Sequence, residues 1–159
     1  MILEINKTGE YFLEGKLDST LFGKQIGVMI EVGTPMEYAE SCAREANQLP
    51  AELIGSICRR VKDYYCFMLE EWDEEFAEQI RETVPPAVEG RDILAYIEDP
   101  TLVVNRPEGE GIGYSVSGIC PWEPEHGVDI IVKDKALLYV GPQNCLGPWA
   151  NEDEYRVIF

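Results

Sequence analysis

Strand patterns at both ends of the chain enclose a helical middle, and this order constrains the fold more than any other feature of the sequence. Before residue 33, β-forming residues between turn residues predict three strands, at residues 2–5, 11–17 and 25–32. After residue 100 the same pattern predicts five more, at residues 102–105, 113–120, 129–133, 136–140 and 155–159. This order favours an α+β fold of two layers, with helices packed on one face of an antiparallel sheet.

Two helical patterns occupy the middle of the chain. Thr34 before Pro35 predicts a capped helix start, since proline at the first helical position has no amide to lose, and the helix is expected to run to about Gln48. Its inward positions are mostly small: Met36, Ala39, Cys42, Ala43 and Ala46. From Leu53 to Trp72, apolar residues recur every three or four positions and predict one long amphipathic helix.

The sequence leaves the end of the helical region open. Apolar spacing continues past Trp72 to Ile80, and the two prolines after Val84 end it because proline interrupts a helix. A break between residues 70 and 73 is not decided by the pattern. Residues 90–97 fit either a short helix or a strand.

Two short segments predict turns between the later strands. Asp134 and Lys135 lie where a two-residue hairpin turn would fall, although such turns favour glycine. The glycine-rich stretch from Gly109 to Gly113 carries an acid and no lysine, which excludes a phosphate-binding loop. It predicts a turn with unusual backbone angles.

Length and charge bound the class of protein. A chain of 159 residues fits one domain, spanning residues 1–159. Its 30 acidic and 13 basic side chains give a formal net charge of −17, which repels nucleic-acid phosphates and anionic membrane surfaces. We therefore expect neither nucleic-acid nor membrane binding. Solubility or attraction to a basic protein partner explains the acidity.

Cysteine usage and the N-terminus predict a cytoplasmic protein. The five cysteines include no C-x-x-C pair of the kind found in zinc and redox sites. Free cysteine is usually buried, so Cys58 and Cys66 are expected to be small core side chains. The first residues lack a secretory pattern, and no stretch approaches the roughly 18 consecutive apolar residues of a membrane span.

The acidic run between residues 70 and 82 is the first candidate binding surface. Like charges four residues apart destabilise a helix, so a basic partner surface would offset a cost that this run otherwise carries. A solvated helix face is the alternative explanation. The residues predicted to contact a partner are Glu71, Trp72, Glu74, Glu75 and Glu78.

The only histidine lies in a second candidate, a predicted turn between apolar runs that contains Trp122, Glu125, His126 and Gly127. We interpret it as a structural corner in which Trp122 packs inward and His126 forms a hydrogen bond. A metal cluster with Glu123 and Asp129 matches no specific ligand spacing, and pairing of Cys120 with His126 lacks the local signature of a cysteine hydrolase. We expect no metal, no cofactor and no catalytic residue.

The segment from Trp122 to Gly127, followed by a hairpin and Tyr139-Val140-Gly141, resembles a family of uncharacterised bacterial domains. These carry a Trp-acid-x-Glu-His-Gly turn between strands. The resemblance implies a small cytoplasmic protein, and some members are suspected of acting as immunity proteins in toxin systems. It brings no catalytic residue and leaves the N-terminal half of the chain unassigned.

Three hypotheses of function follow from these features. The leading one is a non-enzymatic, acidic, cytoplasmic binding protein, immunity-like, that engages a basic protein such as a nuclease toxin. The second is a small hydrolase or metal-dependent enzyme centred on His126, which requires a cleft with His126 exposed. The third is a structural or oligomerisation domain, whose oligomeric state the sequence does not give.

Overall fold

The computed structural model describes residues 1–159 and contains seven strands, three α-helices and two 3₁₀ helices. The strands are β1 (Leu3–Lys7), β2 (Phe12–Ser19), β3 (Lys24–Glu31), β4 (Glu98–Val104), β5 (Gly113–Cys120), β6 (Glu123–Lys133) and β7 (Ala136–Gly141). The helices are α1 (Met36–Ala46), α2 (Ala51–Glu71) and α3 (Glu74–Thr83), and the 3₁₀ helices span Gly90–Tyr96 and Glu152–Tyr155. No helix combines the length and the apolar sequence that spanning a bilayer requires.

All seven strands form one sheet, in the order β1-β2-β3-β4-β5-β6-β7. Every neighbouring pair is antiparallel except β3 and β4, which are parallel. A parallel pair needs a long crossover connection, and the three α-helices and the Gly90–Tyr96 3₁₀ helix provide it. The predicted α+β class is confirmed, and the sheet is antiparallel as predicted except at this one pair.

The helices cover one face of the sheet, where a single apolar cluster forms. Ile26, Val28 and Ile30 alternate along β3 and point into this cluster, as a period of two predicts. Most predicted inward positions of α1 and α2 are buried there: Ala39, Cys42, Ala43, Ala46, Ile57, Cys58, Val61, Tyr64 and Tyr65. Met36, in the first turn of α1, and Cys66 are exposed, which corrects both predictions.

The helix ends differ in detail from the sequence expectation. Pro35 is the N-cap of α1 rather than its first residue, and the hydroxyl of Thr34 has no hydrogen-bond partner, so Thr34 does not cap the helix. Trp72 adopts an extended backbone and separates α2 from α3, which settles the break that the sequence left open. Asp73 caps α3 by accepting a hydrogen bond from the amide of Phe76 at 2.9 Å.

The hairpin between β6 and β7 turns at Asp134 and Lys135, as predicted. Both residues have positive φ angles, 49° and 59°, the combination that a type I′ turn requires. The carboxylate of Asp134 accepts a hydrogen bond from the backbone amide of Ile112 at 2.9 Å. A glycine has no side chain and could not form this contact. Gly111 has a φ of 100°, so the predicted unusual backbone angle is confirmed there.

The strand predicted at residues 155–159 is wrong. Residues 152–155 form a 3₁₀ helix that begins where the Asn151 amide donates to the Glu154 carboxylate at 2.8 Å. The chain then reaches α2, where the ring of Phe159 stacks on that of Tyr64 with centroids 5.1 Å apart. Burial of this aromatic ring against a helix replaces strand pairing.

Candidate functional site

Seven exposed carboxylates surround the junction of α2 and α3. We call them the acidic ridge: Glu70, Glu71, Asp73, Glu74, Glu75, Glu78 and Glu82. They are seven of the 30 acidic residues of the chain, and Arg81 is the one basic residue among them. Four of the five predicted contact residues, Glu71, Glu74, Glu75 and Glu78, lie on this ridge.

The break at Trp72 lowers the electrostatic cost that the sequence predicted for the ridge. Glu70 and Glu74 lie on different helices, so repulsion between positions i and i+4 of one helix does not apply to them. Within α3, the Arg81 guanidinium contacts Glu74 at 2.8 Å and Glu78 at 3.0 Å. Acids in the first turn of α3 also interact favourably with the positive, N-terminal end of its helix dipole.

Part of the ridge nevertheless carries charge that the protein does not neutralise. Glu70, Glu71, Glu75 and Glu82 form no ion pair, and each is exposed. The ridge therefore presents a local excess of negative charge to solvent.

Trp72 connects the ridge to the second predicted site. Its indole Nε1 donates to the backbone carbonyl of Trp122 at 2.8 Å, and its ring meets that of Phe76 edge-on at 5.1 Å. The predicted contact residue Trp72 is thus half-buried and fixed in orientation. Trp122 is fully buried between Tyr64 and Tyr65, so its predicted inward packing is confirmed.

The turn itself lies earlier than predicted. Pro121 and Trp122 make the reversal between β5 and β6, whereas Glu125, His126 and Gly127 belong to β6. The register is irregular between Gly118 and Cys120, so residues 124–127 bulge away from β5. Gly127 has a φ of 64°, and a Cβ there would collide with the carbonyl of Gly118, which explains the glycine.

A buried carboxylate organises this bulge. Glu123 accepts hydrogen bonds from the backbone amides of Glu125 at 3.0 Å and His126 at 3.3 Å. Its second oxygen lies 3.3 Å from Nδ1 of His126, whose side chain is 56% exposed while that of Glu123 is 10% exposed. The imidazole is therefore oriented by a buried carboxylate and faces solvent.

His126 faces a groove on the side of the sheet opposite the helices. We call it the open-face groove; its volume is about 550 Å³, and its polar lining consists of Asn105, Ser115, Ser117, Glu125, His126, Asp129, Gln143 and Cys145. One row of directly paired positions across the sheet, Thr101, Ser117, Asp129 and Gly141, has small side chains beside Asp129. The tip of the Tyr139 ring and Val157 fill the space that the small Gly141 leaves beside Asp129.

Asp129 is the most perturbed acid of the groove. Asp129 is 4% exposed, and Ser117 Oγ donates a hydrogen bond to its carboxylate at 2.8 Å. Burial raises the pKa of Asp129 from 3.8 to about 6, although the hydrogen bond from Ser117 acts in the opposite direction. No cation compensates the carboxylate in a site where burial disfavours charge.

The family model described as a domain of unknown function, DUF6985, matches residues 1–147 of the chain. The chain belongs to this family. No curated protein and no solved structure matches it. The family assignment agrees with the predicted uncharacterised domain and carries no activity of its own.

Cysteine and metal chemistry gain no support in this DUF6985 domain. Cys120 is fully buried in the apolar cluster on the helix side, and burial raises the pKa of its thiol to about 12. It therefore does not pair with His126, which lines the opposite face. No three His, Cys, Asp or Glu side chains come together in a way that could hold a metal ion.

Sequence reasoning missed part of the groove. The sequence suggests only a metal-ligand role for Glu123, whereas in the structure its carboxylate orients His126. The alternation of Ser115 and Ser117 with apolar residues of β5 was a signal for one polar sheet face. Gln143 and Cys145 enter from the segment after β7, and no local pattern indicates their approach.

Proposed function

We propose that this domain is a non-catalytic binding protein that engages a basic protein through the acidic ridge. The observation that carries the proposal is the group of exposed, unpaired carboxylates on the ridge of a chain with a net charge of −17. Complementary charge accelerates protein association and opposes the approach of acidic competitors.

A fixed aromatic support strengthens this assignment. Trp72 is held by Trp122 and Phe76, so the ridge sits on a rigid base. A preorganised surface loses less conformational entropy when it binds than a mobile one does. The predicted contact set Glu71, Trp72, Glu74, Glu75 and Glu78 then acts as one face.

An immunity-like role in the bacterial cytoplasm is the specific form of the proposal. The sequence resemblance of the segment from Trp122 to Gly127 supports it, as does acidity suited to a basic toxin such as a nuclease. All five cysteines are free, which suits a reducing compartment.

Charge reversal on the ridge tests the proposal. The protein is used to capture partners from its native lysate, and association of the purified partner is then measured by stopped flow. We expect a basic partner and an association rate that falls about tenfold in Glu71→Lys/Glu75→Lys, because the variant replaces two negative charges of the ridge with positive ones. These two acids are chosen because neither forms an ion pair within the protein.

The matched control is Glu108→Lys/Glu110→Lys, which makes the same charge change in the loop before β5, at the other end of that strand from Trp122. This control should change the rate less than about twofold at physiological salt. Equal losses in both variants, or a captured partner without basic character, would refute ridge recognition.

A hydrolase centred on His126 is the second candidate, and the open-face groove favours it. A buried carboxylate beside Nδ1 orients an imidazole so that its other nitrogen can act as a base. Release of p-nitrophenol from p-nitrophenyl esters, compared between wild type and His126→Ala, tests it. Turnover above the buffer rate that His126→Ala abolishes would favour this enzyme over the binding protein.

A further inference from the structure

A second groove, on the helix side of the molecule, has the opposite charge to the acidic ridge. We call it the cationic groove; it lies between α2 and the edge strand β7 and has a volume of about 950 Å³. Its α2 wall runs from Ala51 to Asp63, and residues 137–140 of β7 form the other wall. The groove shares no residue with the acidic ridge.

Positive charge is concentrated in this groove. Four of the 13 basic residues line it, Arg59, Arg60, Lys62 and Arg91, against two acids, Asp63 and Glu89. Elsewhere the chain is strongly acidic, so a local excess of cations does not follow from composition. It is a feature of this groove.

Backbone carbonyls rather than carboxylates hold two of these cations. Lys62 Nζ donates to the carbonyls of Pro86 and Val88, both at 2.6 Å. Arg91 donates to the carbonyl of Leu21 at 3.0 Å and to that of Thr20. Carbonyl contacts fix the position of a cation without cancelling its charge.

The two arginines of α2 complete the charge pattern. Arg60 Nη1 donates to the carbonyl of Phe159 at 2.7 Å and lies 3.6 Å from the Asp63 carboxylate. Arg59 has one side-chain contact, to Ser56 Oγ at 2.9 Å, and no ion pair. Arg59 is therefore the cation most available to a ligand.

The shape of the groove indicates an extended ligand. Thirteen helical residues from Ala51 to Asp63 span about 18 Å, the length of five or six residues of an extended peptide. β7 pairs only with β6, so no strand pairs with its outer edge, and the C-terminal segment lies near that edge, where Val157 is beside Gly141 and Tyr155 lines the groove. Leu137 and Leu138 are half-buried and supply apolar contact at the same edge.

We propose that the cationic groove binds an extended acidic peptide segment of another protein, aligned along β7, with its carboxylates at Arg59 and Arg60. Charge complementarity and a strand edge that no other strand pairs with together define this occupant. The inference goes beyond the ridge and does not depend on it, because the two surfaces select partners of opposite charge.

Binding of a defined peptide to the full chain tests the proposal. The probe is a fluorescein-labelled hexapeptide of alternating valine and glutamate, followed by fluorescence anisotropy, with glutamine and lysine versions as comparisons. We expect saturable binding of the glutamate peptide, about tenfold weaker binding of the glutamine peptide, and weaker binding still of the lysine peptide.

Charge reversal then locates the site. Arg59→Glu should weaken the glutamate peptide at least about fivefold, whereas Arg44→Glu, an equal change at an exposed residue of α1 outside the groove, should weaken it less than about twofold. Peptide-induced NMR shifts should centre on the amides of residues 137–140. Circular dichroism establishes that both variants fold.

Three results would overturn the proposal. They are no saturable binding up to about 1 mM peptide, equal losses in Arg59→Glu and Arg44→Glu, and tighter binding of the lysine peptide than of the glutamate peptide. The ridge proposal survives each of them, because it is tested with a basic partner and different variants.

Discussion

The two faces of the sheet place the same strands in different environments. Along β6, Val128, Ile130 and Val132 enter the apolar cluster beneath the helices, whereas Asp129 lies on the opposite face beside Ser117. All these β6 positions are buried. Burial on the helix face removes apolar surface from water, while burial on the open face works against a charge. Among these β6 positions, only Asp129 on the open face buries an ionisable group, which packing alone does not require.

Truncation of neighbouring isoleucines should expose the largest difference between the faces. Ile130 and Ile131 are equally buried, but only Ile130 belongs to the apolar cluster. We expect Ile130→Ala to cost free energy of unfolding near the top of the range of about 2–5 kcal/mol, and Ile131→Ala near the bottom. Urea denaturation measures both.

Equal costs would break the comparison. They would mean that the open face packs around Ile131 as tightly as the helix face packs around Ile130, since the cost depends on how far each cavity can collapse. A larger loss of unfolding free energy in Ile131→Ala than in Ile130→Ala would mean that the open face is the more tightly packed of the two.

The pH dependence of stability should show the next largest effect. The pKa of Asp129 rises from 3.8 to about 6 on folding, so its contribution to stability is fully present below about pH 4 and is lost as the pH rises through about 6. The loss at pH 7 is on the order of 2–3 kcal/mol for this mostly buried group. Asp129→Asn, which cannot ionise, should escape it.

Comparison of Asp129→Asn with wild type isolates this group from the other acids of the chain. The variant should gain stability relative to wild type between pH 4 and pH 7, measured by urea denaturation at both values. A constant difference across this range would mean that Asp129 ionises as easily in the folded chain as in the unfolded one.

The contrast between the faces also marks how far the sequence could predict the structure. Alternating Ile26, Val28 and Ile30, and the spacing from Leu53 to Trp72, report local burial on one face, and the fold follows them. The sequence also predicts the turn at Asp134 and Lys135 correctly, because the length of a hairpin loop is a local property.

Long-range contacts decide the features that the sequence did not predict. Tyr155 to Phe159 alternates like a strand, yet packing of Phe159 on α2 decides its structure. The open-face groove forms because Gln143 and Cys145 approach β5 and β6, whose residues lie far from them in the sequence. The parallel pairing of β3 and β4 depends likewise on how the helical crossover returns.

The smallest effect is expected at His126. Its side chain is 56% exposed, and Glu123 still accepts hydrogen bonds from the backbone amides of residues 125 and 126 when the imidazole is removed. His126→Ala should therefore change the free energy of unfolding by less than about 0.5 kcal/mol. Glu123→Gln, which weakens three contacts of a buried acceptor, should cost more, about 1–2 kcal/mol. If His126→Ala proves the costlier variant, the imidazole anchors the bulge, and its orientation by Glu123 then serves the fold rather than a reaction.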